Sequence, residues 1–121
     1  MDTAQEHADK ALHNLQFLES ISTGEFADWA IVALFYRALH VTSVVIHVRG
    51  DDHGTSHSAR QKAVDRHFTH DNAVGYEQLY SRSRLVRYDQ VSAEDVDYNR
   101  LLMNSFVPIL QEAQRVVPGV S

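Results

Sequence analysis

The run AIVALFYRALHVTSVVIHV, Ala30 to Val48, is apolar over most of its nineteen residues. A segment of that length and composition either crosses a bilayer or forms a helix enclosed by other helices. Arg37, His40 and His47 would each be costly in lipid, and neither a basic flank nor a second span accompanies them. The run is therefore expected to be the buried central helix of a bundle, with no membrane involved.

A chain of 121 residues suffices for one core but not for two independent ones. We therefore read residues 1–121 as a single helical domain whose core spans about residues 7–117. With no cysteine, disulfides, thiolate zinc sites and cysteine nucleophiles are excluded, which suits a reducing compartment. The opening MDTAQEHADK lacks a basic-then-apolar leader pattern, so a cytoplasmic location is expected.

Helix signals follow one another along the chain. Thr3-x-x-Glu6 forms a capping box ahead of Ala4, Ala8, Ala11, Leu15 and Leu18, which repeat at helical spacing. Ser22-x-x-Glu25 offers a second box for the apolar helix, on which Trp29, Ala33, Tyr36, His40, Val44 and His47 share a face. Trp29 is expected to pack in the core. Arg49 to Thr55, RGDDHGT, reads as a loop.

A third helix opens at Ser56 or Ser58 and runs to about Thr69. A turn is expected over His70 to Gly75, before a fourth helix from Tyr76 to about Tyr88. Ser92-x-x-Asp95 starts a last helix carrying Val96, Met103, Val107, Leu110 and Val117, which Pro108 should bend or divide. Strand-like alternation is absent, so the fold class is all-α: a four- to five-helix up-and-down antiparallel bundle.

The net charge of -5 argues against a generic nucleic-acid coat, but it is unevenly spread. Residues 57–90 hold six Lys/Arg against four Asp/Glu, which permits a local anion-binding face on an acidic body. Within that region lies SHSARQKAVDRH, Ser56 to His67. On a helix His57, Arg60, Val64 and His67 step along one face.

The order FADWAIVALFYRALH, SHSAR and YEQLYSRSRLVRY, closed by an amphipathic helix, resembles the HEPN superfamily of small helical bundles over about His7 to Val117. The resemblance implies a homodimer and one of two roles. The first is a metal-independent endoribonuclease of a toxin–antitoxin or defence system, or a binder of RNA or nucleotide phosphates. The second is a non-catalytic module that partners a nucleotidyltransferase-type protein. Family ribonucleases carry an arginine, then a polar residue, then a histidine after a short spacer; Arg60, Gln61 and His67 fit that pattern at its upper spacing limit. Toxins silenced on a tyrosine carry it just past the histidine, where this chain has Phe68 and Thr69.

Catalysis would therefore fall to Arg60 as phosphate clamp, with His67 and His57 as proton carriers, because imidazole titrates near neutrality and guanidinium forks onto phosphate. Arg60 and His67 stand about 10.5 Å apart along an ideal helix, so joint action needs a broken helix or a second subunit. His57 and Arg60 at the helix start could instead hold a phosphate without cleaving it, or simply pin the helix to the bundle. Arg87, Tyr88, His40 and Tyr36 complete the candidate nucleotide-binding set, His40 and Tyr36 equally suiting hydrogen-bonded core positions. His53, His57, His67 and His70 form no recognised metal pattern, so no metal and no cofactor are assigned.

Overall fold

The computed structural model describes residues 4–10, 27–88 and 95–121. Residues 4–10 are helical (α1), followed by α2 (Ala27–Val48), α3 (His57–His67), α4 (His70–Tyr88), α5 (Asp95–Leu101), a π-helical segment (Leu102–Phe106) and α6 (Val107–Val116). The described residues contain no strand, and the architecture is the expected all-α bundle. The Thr3 and Ser22 capping boxes, and Ala11, Leu15 and Leu18, lie outside the described residues.

Helix α2 is the centre. It packs on α3, α4, α5 and α6, and fifteen of its 22 residues are buried, which accounts for its apolar length. Its interior hydroxyls are satisfied within the helix, since Thr42 Oγ1 and Ser43 Oγ both donate to the Leu39 carbonyl at 3.0 and 2.7 Å. Ile31, Leu34, Val41, Val45 and Ile46 meet Val64, Tyr76, Leu79, Phe106 and Ile109 in one core. The expected α2 stripe is not wholly inward: Trp29 is 64% exposed and Tyr36 38%. A helix apolar nearly all round has no unique inward face in its sequence, and the neighbouring helices select Ile31, Leu34 and Phe35 instead.

Helix α3 begins where Ser56 Oγ accepts from Ala59 N–H at 3.1 Å, so Ser56 rather than Ser58 is the N-cap. The turn expected at His70 to Gly75 is helix instead. Only Phe68 and Thr69 separate α3 from α4, and Gly75 is a point of close approach, where an added Cβ would stand 3.4 Å from Ser105 Cα. The junction is fastened by Glu112 of α6. Its carboxylate accepts from Thr69 N–H at 3.1 Å and from Asn72 Nδ2 at 2.6 Å, while Asn72 Nδ2 also reaches the Pro108 carbonyl at 3.2 Å. Glu112→Ala should lower stability by about 1–2 kcal/mol, read from urea unfolding, because bonds to a half-exposed carboxylate are partly replaced by water.

Pro108 divides the last helix as expected, by way of the π segment that precedes it. Val107 N–H reaches back five residues to the Leu102 carbonyl, and Pro108 falls in the first turn of α6, where its missing N–H is harmless. The inward face is that of Tyr98 and Leu101 ahead of the π segment and of Ser105, Phe106, Ile109 and Ala113 from its end onward, so Met103, expected in the core, lies on the opposite side and is 59% exposed.

Candidate functional site

Helix α3 is unbroken from His57 to His67, so Arg60 and His67 stay two turns apart within one chain. The two ends of the stripe have different surroundings. At the C-terminal end His67 Nε2 lies 2.7 Å from Asp51 Oδ2, and Arg66 donates to the same oxygen through Nε and Nη2 at 3.2 and 3.0 Å. Arg49 Nη1 donates to the His67 carbonyl at 2.6 Å. The hydrogen bonds from His67, the Asp52 backbone and Arg66 hold the Asp51 carboxyl well below the usual carboxylate range. His67 thus serves to anchor the α2–α3 loop to the end of α3.

At the N-terminal end His57 faces α4. Its ring stacks on Tyr80 with centroids 3.3 Å apart and planes 6° from parallel, and its Nε2 lies 3.0 Å from Glu77 Oε2. Arg84 Nη1 donates to the Tyr80 hydroxyl at 3.1 Å. Arg60 is half-buried, with its Nε enclosed and lacking a hydrogen-bond partner. Its charge is felt by Tyr76, whose phenol is also enclosed without a partner and whose pKa burial drives upward.

The same face continues onto α2. Arg87 Nη1 donates to the Tyr36 hydroxyl at 2.8 Å and its guanidinium lies 5.6 Å from the Tyr36 ring centre. Arg82, by contrast, is paired with Asp97 at 2.9 Å and braces α4 against α5. The Tyr88 backbone closes α4; its side chain lies outside the described residues. Of the candidate set, the structure therefore gathers His57, Arg60, Tyr36 and Arg87 toward the surfaces shared with α4, and it separates His67 from them. Tyr80 and Arg84 join the group, and the alternation of tyrosine and arginine at helical spacing in YSRSRLVRY was their signal.

His40 belongs elsewhere. Its Nδ1 lies 3.1 Å from Nδ1 of His7, a residue that is 2% exposed. The His7 ring is in turn 5.0 Å from His47 and 5.1 Å from His53, and the last two are 5.3 Å apart. Burial pushes the His53 imidazole pKa down, the charges of His47 and Arg60 act in the same direction, and the Gly54 backbone and the Asp52 charge act against them. The sequence grouping of His53, His57, His67 and His70 is thus dispersed, and only His53 enters a histidine cluster. Four histidines from α1, α2 and the following loop meet, although 33 residues separate His7 from His40.

Comparison of the chain with protein-family models, with characterised proteins and with solved structures finds no match in any of the three. The fold and the site define an all-α bundle with an arginine- and tyrosine-bearing face.

Proposed function

We propose that the chain is a HEPN-like protein that binds RNA or a nucleotide through phosphate and base at the junction of α3 and α4, and that it does so as a homodimer. The observation that carries this reading is the flat His57–Tyr80 stack, flanked by Arg84 and by an Arg60 whose Nε has no hydrogen-bond partner. Aromatic rings accept any base by stacking, and guanidinium groups grip phosphate, so such a face favours a single strand or a free nucleotide.

Cleavage by one chain has less support, because continuous α3 separates Arg60 from His67 and Asp51 engages the histidine. Ribonuclease activity would require the second subunit to bring its own His67 toward Arg60. In the alternative reading the chain is a non-catalytic partner of a nucleotidyltransferase-type protein. The exposed Trp29, in a groove of about 390 Å³ with Asp28, Val32, Val86 and Arg87, favours that possibility as a protein contact.

Fluorescence anisotropy with a labelled single-stranded RNA of mixed sequence, and with labelled ATP, tests the proposal. The parent should bind one or the other at low salt, more weakly as salt rises, and Arg60→Ala should lower affinity about tenfold to a hundredfold. No binding by the parent, or equal binding by the variant, would sink it. RNA left intact in chelator would place the protein among binders rather than nucleases. Light scattering on the parent checks the dimer, and a monomer at micromolar concentration would remove the composite catalytic site.

A further inference from the structure

We propose that His7, His47 and His53 form a binding site for one divalent transition-metal ion of the zinc class, with His40 positioning His7. The inference is independent of the nucleotide reading. Each of the three histidines offers one ring nitrogen, and these nitrogens all lie within 4.8 Å of one another. They come from three different segments: His7 from α1, His47 from the last turn of α2, and His53 from the loop that leads to α3.

The polar atoms of the cluster call for an explanation. His47 Nε2 and both ring nitrogens of His53 are enclosed without a hydrogen-bond partner. Native interiors rarely leave such atoms unmatched, and three imidazoles turned toward one another offer each other lone pairs or N–H groups but no shared proton scheme that satisfies all of them. A cation at their centre resolves the conflict, because it accepts a lone pair from each ring.

The donor set indicates the kind of ion. Three imidazoles with no carboxylate or thiolate among them suit zinc, cobalt, nickel or copper and discriminate against calcium and magnesium, which take oxygen ligands. At Zn–N bonds of about 2.0–2.1 Å, tetrahedral geometry puts the nitrogens about 3.3 Å apart. The cluster therefore has to close by at most about 1.5 Å, a distance that ring rotation about the side-chain torsions spans. Three protein ligands leave one position for water or a small anion.

His40 supplies the second layer that such sites use. With a metal on His7 Nε2 the His7 proton resides on Nδ1, from which it donates to His40 Nδ1, 3.1 Å away. That bond fixes the tautomer and the direction of the ring.

The test is a titration of tag-free, chelator-stripped full chain with Co²⁺ and with Zn²⁺. We expect one equivalent to bind, the visible absorption of tetrahedral Co²⁺ to appear, displacement of that signal by Zn²⁺, and a thermal midpoint that rises with metal concentration. His47→Ala and His53→Ala should abolish the spectrum while retaining the parent's helical circular dichroism without metal. His40→Ala should bind about 10- to 100-fold more weakly, and His70→Ala, an exposed histidine at the start of α4, should bind as the parent does. A parent that gives no cobalt spectrum and no midpoint shift at 100 equivalents, or a His47→Ala/His53→Ala double variant that binds normally, would overturn the proposal. If the single variants fail to fold, the parent's stoichiometry and spectrum still decide it.

Discussion

Phe106→Ala lowers the free energy of unfolding by about 3–5 kcal/mol. Phe106 closes the π segment, is 1% exposed, and has the guanidinium carbon of Arg37 4.4 Å from its ring centre. Truncation removes the apolar area that the ring buries and leaves a cavity where α2, α4 and α6 meet. It also takes away the electron-rich face beside a charged residue that is itself only 8% exposed. Phe106→Leu separates these effects, because leucine retains most of the volume but none of the ring; its cost should be about 1–2 kcal/mol. Urea unfolding with an unchanged slope provides the measurement. If the alanine variant lost less than about 1 kcal/mol, the side chain would not be packed as described.

Phe106 also illustrates what the sequence could and could not disclose. The all-α class was legible because α2, α4 and α6 need only helical spacing and caps to be recognised, and Ala30 to Val48 demanded neighbours on every side. The face of the last helix was not legible. A 3.6-residue repeat runs through Met103, Val107 and Leu110, but the face turned inward is that of Tyr98, Leu101, Ser105, Ile109 and Ala113, on both sides of the π segment, and it leaves Met103 exposed. Nothing local distinguishes Leu-Met-Asn-Ser-Phe as a π turn; the proline after it is the only hint. The turn placed at His70 to Gly75 failed for a related reason. His, Asp, Asn and Gly there have turn character, yet Glu112, some 40 residues on, fixes the junction and Gly75 is needed for contact with Ser105.

The candidate site divides along the same line. The polar stripe of α3 was readable as a stripe, since it depends on helical geometry alone. Its partners were not. Asp51 holding His67, and Tyr80 receiving His57, are tertiary contacts that no spacing rule supplies. The histidine cluster was half visible: His40 and His47 lie two turns apart on α2 and His53 follows closely, but His7 arrives only when α1 docks.

Gly54→Ala should destabilise the protein by about 2–4 kcal/mol, a large effect for the gain of one methyl group. Gly54 adopts φ +71°, in the left-handed region, and its N–H donates to Asp52 Oδ1 at 2.8 Å. A side chain there incurs about 1–2 kcal/mol for the backbone conformation alone. The added Cβ would also stand 2.5 Å from Ala59 Cβ, and Ala59 has no torsion with which to retreat because its N–H is tied to the Ser56 cap. The first turn of α3 must therefore move. Gly50 supplies the control: at φ +77° an added Cβ meets nothing within 4 Å, so Gly50→Ala incurs the conformational cost without the clash. The difference between the two variants in urea unfolding isolates the contact between the loop and α3. A moved first turn also draws His57 off Tyr80 and Arg60 away from Tyr76, so Gly54→Ala should weaken RNA or nucleotide binding while Gly50→Ala leaves it intact. Equal stability losses in the two variants would mean that the loop yields before the helix does, and that the position of His57 and Arg60 does not depend on Gly54.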